Sequence, residues 1–353
     1  MRKMGLYKDF VSQTRKPEGF LGKMMLNGMN SGHAKMADWG LSHLPEMDPA
    51  EAADLGCGGG RNAGELLKRY PKAHVTAVDY SDLSVAKATE YNRSMDLQFG
   101  DIQETALITL AVRASETNRP NARIKDQKAK EIIDTLGVDV SKFDPFMSHE
   151  GVVARTIMYR DQLKVLLEKY PEAVCINLGC GFDDKFSQVD NGKLTWFDVD
   201  LPDQIAVRRK VYEDRDRCTM LDGNALDGFW TSRIPKSDMY IVIMEGVLEY
   251  FSKEQVKTCL NMLCDSFPHG YLLAELHTPF LEKHGSHHDA VKHTRASFGW
   301  GTKSGKEYLE LEPRMKLVSE KSYNEEMKKY SIRGKLFAVI GKNMNNRLAV
   351  FQW

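Results

Sequence analysis

The sequence lacks features typical of membrane, secreted or nucleic-acid-binding proteins. Among its 353 residues no apolar run approaches the roughly 20 residues that cross a bilayer, and the first residues hold no apolar signal-peptide core. The 49 basic residues are balanced by 49 acidic ones, so bulk charge does not favour nucleic acid. We therefore expect a cytoplasmic protein with no nucleic-acid partner and no membrane partner.

Cysteine is scarce and forms no pattern. The six cysteines include no C-x-x-C pair, which argues against a disulfide framework and favours reduced thiols in the core or in turns. The hydrophobic content of 42% is enough for a packed core. The length allows one large domain or two ordinary ones.

The most informative stretch runs from Val174 to Pro202 and has a strand–turn–strand pattern. An apolar run leads into Gly179 and Gly181, which allow a tight turn and the close approach of a ligand. A second apolar run ends with Asp198 and Asp200. Because ligands of open parallel sheets bind at the carboxyl ends of strands, a carboxylate there can accept hydrogen bonds from both ribose hydroxyls. The stretch predicts a nucleoside-containing cofactor.

This turn lacks the third glycine of the dinucleotide fingerprint G-x-G-x-x-G. Asp184 stands in its place and would repel a pyrophosphate. The absence disfavours a nicotinamide oxidoreductase and favours a cofactor without phosphates. S-adenosyl-L-methionine, with its ribose, cationic sulfonium and amino-acid tail, is the obvious candidate.

A second copy of the pattern lies nearer the start of the chain. A strand-type run leads into Gly56 and Gly58, a helix follows, and another strand-type run ends at Asp79. Arg61 stands where the third glycine would be. This copy resembles the first half of a class I methyltransferase, and its two glycines and aspartate would form a second, remnant cofactor site.

The copy ends early, because after a third strand-type run at residues 97–103 the further strands of a complete domain do not follow. We therefore expect residues 1–103 to be a truncated β-α-β segment with a helical lead-in, and residues 104–353 to be a complete domain. Half a doubly wound sheet leaves an open edge. The truncated segment is expected to pack on the second domain or to form a homodimer.

Four motifs of the second domain resemble the leucine carboxyl methyltransferase family, in particular its polyketide-type small-molecule O-methyltransferases. They are, in order, INLGCGFDDKF, WFDVDLP, RRK and MEGVLEYFSKEQV. The resemblance implies an α/β fold with a doubly wound, mostly parallel seven-stranded sheet and an antiparallel C-terminal hairpin. It also implies in-line methyl transfer from S-adenosylmethionine to an oxygen of a small molecule, without a metal.

The resemblance further implies site residues. Arg155 takes the position of an arginine that grips the cofactor's carboxylate, which suits a guanidinium fork. Asn224 and Ala225 take the position of the loop over the adenine, where aspartate is more usual than asparagine. Glu245 ends the central strand, where the cofactor's tail and sulfonium are expected. The two glycines of the turn at 179–181 and the two aspartates at 198 and 200 complete the expected cofactor site.

A phenol or alcohol acceptor needs a general base, whereas a carboxylate acceptor does not. We select Tyr250 and His277 as catalytic candidates, beside His149 and Tyr159.

The segment Thr278–Glu320 takes the position of this family's substrate lid. Phe298 and Trp300 would cover an aromatic, polyketide-like acceptor, and glycines would let the lid move. Its four histidines fit no standard zinc spacing, so no metal is expected. They are His284, His287, His288 and His293. The last residues, KLFAVIGKNMNNRLAVFQW, predict two strands joined by a turn at Asn345.

Two other functions stay open at this point. One is a non-catalytic S-adenosylmethionine-binding protein that uses the truncated half as a docking surface. The other is a protein carboxyl methyltransferase, because the sequence does not separate a protein carboxylate from a small-molecule oxygen.

Overall fold

The computed structural model describes most of the chain: residues 17, 19–44, 47, 49, 51–70, 73–93, 105–138, 140, 143, 146–284, 298–330, 332–341 and 344–353. The chain divides into two compact units. The first unit comprises residues 1–98 and 136–138, and the second comprises residues 99–135 and 139–353.

The first unit is built around a two-stranded parallel sheet. Its elements are α1 (Gly19–Gly32), α2 (Ala34–Ser42), β1 (Glu51–Leu55), α3 (Arg61–Arg69), β2 (His74–Val78) and α4 (Asp82–Arg93). The two strands pair from Glu51 opposite His74 to Leu55 opposite Val78. The strand expected at residues 97–103 lies outside the described residues.

The elements that follow form a larger α/β arrangement. The helices are α5 (Ala106–Thr117), α6 (Gln127–Leu136), α7 (Phe146–Lys169), α8 (Lys185–Val189), α9 (Pro202–Arg208), α10 (Lys253–Ser266), α11 (Pro279–His284), α12 (Lys306–Leu311), α13 (Asn324–Met327) and α14 (Ile332–Ile340). The strands are β3 (Val174–Leu178), β4 (Thr195–Asp200), β5 (Cys218–Asp222), β6 (Tyr240–Met244), β7 (Gly270–Leu276), β8 (Lys316–Ser322) and β9 (Arg347–Gln352).

The seven strands of the second unit form one sheet in the order β5-β4-β3-β6-β7-β9-β8. The first five of these run parallel, and β9 lies antiparallel to both β7 and β8. The strand order reverses between β3 and β6, which is where open α/β sheets bind ligands. This topology confirms the predicted fold class.

Both faces of the central strands are buried, as the continuous apolar run of β6 predicts. Val242 and Met244 pack on one face with Leu272, whereas Ile241 and Ile243 pack on the other. Burial of each such side chain contributes about 1.5–3 kcal/mol.

The predicted C-terminal hairpin is wrong, because its first strand does not form and β9 pairs with an earlier strand. The antiparallel partner of β9 is β8, which begins inside the segment interpreted as the lid and ends two residues beyond it. The run before Asn345 that was predicted as a strand is the helix Ile332–Ile340. Short apolar runs do not separate helix from strand by periodicity, and here the helical alternative forms.

Candidate functional site

A cavity of about 850 Å³ opens at the carboxyl ends of β3, β4 and β6 in the second unit. Most of the predicted cofactor residues line it: Arg155, Gly179, Gly181, Asp200, Asn224, Ala225 and Glu245. The predicted catalytic residue Tyr250 lines it too. The cavity therefore lies at the strand-order reversal that the sheet topology indicates.

The glycine turn after β3 has a shape that requires glycine. The φ angle of Gly179 is +78°, and a Cβ there would lie 2.2 Å from Cγ2 of Val247. Its N–H donates to the carbonyl of Val199 at 2.7 Å. The Gly181 N–H donates to Asp200 Oδ2 at 2.8 Å, so the turn and the end of β4 form one corner.

The Asp200 corner can accept hydroxyl groups. Asp200 Oδ1 accepts the Leu201 N–H at 2.8 Å, which leaves further lone pairs on both oxygens. Burial raises the pKa of Asp200 to about 6, although the Gly181 N–H opposes the rise. The buried Gln204 also lines the cavity, and neither its amide nitrogen nor its amide oxygen has a hydrogen-bond partner among the described residues. The corner thus offers unpaired polar atoms of the kind that a ribose would satisfy.

Asp198 is placed differently from the prediction, because it does not line the cavity within the described residues. Its carboxylate is buried, with Oδ2 2.6 Å from Arg208 Nη2 and Oδ1 accepting the Trp196 indole N–H at 2.8 Å. Arg208 also donates to the carbonyl of Gly181 at 2.9 Å. Asp198 therefore anchors Arg208, which holds the turn, and we correct its assignment from cofactor contact to support of the turn.

The loop after β5 is held against Trp230. The indole N–H of Trp230 donates to the carbonyl of Asn224 at 3.0 Å, and Asn224 Oδ1 accepts the Leu226 N–H at 2.9 Å. A Cβ on Gly223 would lie 2.6 Å from the Trp230 ring. This packing fixes Asn224 and Ala225 on the cavity wall.

A chain of buried ion pairs forms the charged side of the cavity. Arg155 Nε lies 2.8 Å from Glu245 Oε1, and Arg155 Nη1 lies 2.8 Å from Glu275 Oε2. Lys185 Nζ lies 2.6 Å from Glu245 Oε2 and also contacts Asp183. Burial would lower the pKa of Arg155, but the charges of Glu275 and Glu245 outweigh it and raise that pKa. The arginine is therefore a fixed cation on the wall.

Aromatic rings form another part of the cavity lining. The Tyr250 and Phe298 rings stack with centroids 6.0 Å apart, and the His277 ring stacks on Phe298 with centroids 5.5 Å apart. Burial raises the pKa of Tyr250 well above its ordinary value and lowers the pKa of His277 to about 4. Tyr250 thus keeps its proton and suits a hydrogen-bond donor, whereas His277 is neutral and lies behind Phe298.

The other two base candidates are engaged elsewhere. His149 Nε2 lies 2.8 Å from Glu116 Oε2 on helix α5. The Tyr159 hydroxyl is fully buried and donates to the carbonyl of Met244 at 3.4 Å. Neither residue is among the described lining of the cavity.

Two of the predicted lid glycines, Gly299 and Gly301, pack closely on neighbouring backbone, and the movement expected of the lid stays a prediction. The Gly299 N–H donates to the carbonyl of Glu249 at 2.7 Å, and a Cβ on Gly299 would lie 2.3 Å from the carbonyl oxygen of Phe251. A Cβ on Gly301 would lie 2.6 Å from the carbonyl oxygen of Thr278. These glycines hold residues 298–302 against neighbouring backbone. The side chains of the four lid histidines lie outside the described part of the chain.

The first unit repeats the corner geometry. The Gly58 N–H donates to Asp79 Oδ2 at 3.0 Å, and the φ angle of Gly56 is +76°. The Gly56 N–H donates to the carbonyl of Val78 at 2.7 Å.

Within the described residues, no group of three or more His, Cys, Asp or Glu side chains could hold a metal ion, and no helix there could cross a membrane.

Sequence reasoning missed four residues of the site: Gln204, Arg208, Glu249 and Glu275. Arg208 lies in the quoted RRK motif, so a signal existed for it, whereas Gln204 looks like an ordinary helix residue. Glu275 sits in the apolar strand β7, and a lone carboxylate in such a run is a signal for a buried ion pair. Glu249 lies inside the quoted MEGVLEYF motif.

Comparison with known proteins agrees with this geometry. A family model described as leucine carboxyl methyltransferase matches residues 106–264. Over that segment the chain resembles the leucine carboxyl methyltransferase family, as predicted. A second model, described as a methyltransferase domain, matches residues 52–114. The chain is thus a methyltransferase that depends on S-adenosylmethionine, as predicted.

Curated relatives of this methyltransferase are similar at low identity. The tetracenomycin polyketide synthesis O-methyltransferase TcmP of Streptomyces glaucescens is 26% identical over 202 residues, which are 57% of this chain and 75% of the relative. The S-adenosyl-L-methionine-dependent methyltransferase dpfgK of Gibberella zeae is 25% identical over 47% of this chain and 61% of the relative. The trans-aconitate 2-methyltransferase of Deinococcus radiodurans is 39% identical over 62 residues, 24% of its length.

Among solved structures, magnesium protoporphyrin IX methyltransferase from Synechocystis PCC 6803 with bound SAH is similar, with a TM-score of 0.40 and 13% identity. The similarity covers 64% of this chain and 92% of that one.

Proposed function

We propose that this methyltransferase transfers a methyl group from S-adenosylmethionine to a hydroxyl oxygen of a small aromatic molecule. The observation that carries the proposal is one cavity with a polar corner at Asp200, a carboxylate-rich wall and an aromatic side at Tyr250 and Phe298. Its volume of about 850 Å³ is near the upper end of the ordinary range for ligand sites, which leaves room for a cofactor and an acceptor.

The residues present fit S-adenosylmethionine. Gly179, Gly181 and Asp200 would hold the ribose, the loop at Asn224 and Ala225 would cover the adenine, and Arg155 with Glu245 would hold the tail. The bound cofactor supplies a methyl group on a cationic sulfonium, which the surplus of carboxylates on the wall would stabilise. The protein's part in catalysis is to hold the acceptor oxygen in line and to exclude water.

Two further observations favour a small hydroxylated acceptor. The TcmP relative carries the name of a polyketide O-methyltransferase. The three described cations of the lining, Arg113, Arg155 and Lys185, are each held by carboxylates, so the described wall does not favour an anionic acceptor. A protein carboxyl terminus, as acceptor, would bring a further negative charge to this wall.

The test uses the full chain with radiolabelled S-adenosylmethionine and three acceptors: a trihydroxyanthraquinone, anthraquinone-2-carboxylate and a peptide that ends in leucine. Label is expected on the hydroxyanthraquinone as an ether that survives mild alkali. A methyl ester that mild alkali removes, from the carboxylate or the peptide, would overturn the proposal. Tight cofactor binding with no transfer to any acceptor would favour the non-catalytic alternative, and Asp200→Ala is the control for site-dependent label.

A further inference from the structure

Glu249 lies in the chain between Glu245, which belongs to the buried ion pairs of the cavity, and Tyr250, which belongs to its aromatic part. It belongs to the single helical turn Leu248–Tyr250 that follows β6, and it lines the cavity although the residue is only 6% exposed. A Cβ built on Gly246 would lie 3.8 Å from Glu249 Oε1 and 3.4 Å from Arg155 Nη1, so this oxygen and the guanidinium lie near the same glycine. Tyr250, the next residue, begins the aromatic side.

The Glu249 carboxyl is held by a neutral amide and has no cationic partner at ion-pair distance among the described residues. Asn346 Nδ2 donates to Glu249 Oε2 at 3.3 Å and to Glu275 Oε1 at 2.8 Å. Glu275 in turn is paired with Arg155. Glu249, like Asp200, therefore differs from the cavity carboxylates Asp183, Glu245 and Glu275, which neutralise a neighbouring cation.

Several elements that pack around Glu249 bring charged or titratable groups near its carboxyl. Glu275 on β7 repels its charge, Arg155 on α7 attracts it, and Tyr250 on its own turn can donate to it; Tyr308 on α12 also feels its charge. Burial and the Glu275 charge together raise the pKa of Glu249 to about 8. A base with such a pKa is ionised to a useful fraction near neutral pH and is stronger than an ordinary carboxylate.

From this placement we infer that Glu249 is the general base that takes the proton of the acceptor hydroxyl, and that the acceptor binds as a neutral phenol or enol. The inference rests on the proposed function. In the step, the acceptor O–H bond breaks and its proton passes to the Glu249 carboxylate while the oxygen forms a bond to the methyl carbon. The electron pair of the broken carbon–sulfur bond stays on sulfur, and Glu249 later returns the proton to water.

The first test needs neither cofactor nor acceptor. Because the folded protein disfavours the ionised form, wild-type stability should fall relative to Glu249→Gln as the pH rises from about 5 to 8.5. Between these pH values, the melting temperature of wild type minus that of Glu249→Gln should fall by at least about 4 °C. Glu310→Gln, an exposed glutamate of α12, should change nothing. If the melting temperatures of wild type and Glu249→Gln change by the same amount over this pH range, the inference is overturned.

The second test is the pH profile of transfer to the trihydroxyanthraquinone. Wild-type kcat/KM should rise up to pH about 8, whereas Glu249→Gln should lose about 10²–10⁴-fold in kcat with little change in KM and no rising limb. If Glu249→Gln does not fold, Glu249→Asp should keep the limb at a lower rate. If wild type and the variants have the same pH profile of kcat/KM, the role of Glu249 is overturned but the proposed function is not. Transfer to the carboxylate acceptor with none to the hydroxyl overturns the proposed function itself.

Discussion

Alanine at Gly179 should destabilise the second unit far more than alanine at the equivalent Gly56 destabilises the first. Both glycines have nearly the same φ, +78° and +76°. A left-handed φ costs a non-glycine residue about 1–2 kcal/mol, and the stiffer unfolded chain returns about 0.4–1 kcal/mol. At Gly56 no atom of a described residue beyond its chain neighbours would lie within 4 Å of an added Cβ, so Gly56→Ala should cost about 1 kcal/mol.

Gly179→Ala adds an overlap, because its Cβ would lie 2.2 Å from Cγ2 of Val247. Overpacking of this kind costs about 1–3 kcal/mol, which brings the expected total to about 3 kcal/mol. Urea unfolding followed by tryptophan emission measures it, since the buried Trp196 and Trp230 report on the second unit. The midpoint should fall by about 1–2 M.

A double-mutant cycle isolates the overlap. Val247→Ala removes the clashing methyl, so Gly179→Ala made in that background should cost only about 1 kcal/mol, as at Gly56. Equal losses for the two single glycine variants, or no rescue by Val247→Ala, would refute the argument that this contact decides the cost.

The remaining predictions concern charge. Asp200→Asn should weaken calorimetric binding of S-adenosylhomocysteine by about 10–100-fold, since hydrogen bonds to a charged group contribute about 1.5–3 kcal/mol; Asp79→Asn is the control. Wild-type affinity should fall as the pH drops below about 6, where Asp200 gains a proton; an unchanged affinity at pH 5 would contradict this. Burial would raise the pKa of Glu116, but Arg123 and His149 outweigh it and lower it to about 2. The ionised Glu116 therefore stabilises the folded state above pH 4.5, and this contribution is lost as the pH falls toward 2. In urea unfolding, Arg123→Gln should lower the free energy of unfolding by up to about 3 kcal/mol at pH 7 and by almost nothing at pH 2. Equal losses at both pH values would refute it.

The parts of the fold that follow from local pattern could be predicted from the sequence. Two turn glycines followed by a strand that ends in aspartate predict a turn beside a strand end, and the structure has such a turn in each unit. The helix Ile332–Ile340 could not be predicted, because its apolar run fits a strand as well as a helix and the choice depends on tertiary packing. The boundary expected at residues 103 and 104, and the expected homodimer, stay predictions.

The site divides in the same way. Residues at strand ends, such as Asp200 and Glu245, could be predicted because parallel strands bring their carboxyl ends to one edge. The partners of each charge could not. Nothing in the sequence indicates that Asp198 pairs with Arg208 or that Glu249 faces the amide of Asn346 and not a cation. The first pairing depends on how the following helix packs, and the second joins residues that are 97 positions apart.

The repeated corner also bears on how a cofactor site could be designed. The Gly58–Asp79 and Gly181–Asp200 hydrogen bonds measure 3.0 and 2.8 Å, although one corner stands on two strands and the other on seven. The corner therefore forms on a pair of parallel strands as well as on a larger sheet, which makes it a candidate for transplantation as a small module. Selectivity for one nucleoside over another must then be engineered in what surrounds the corner, so directed libraries should vary Gln204, Asn224 and their neighbours and leave the glycines fixed.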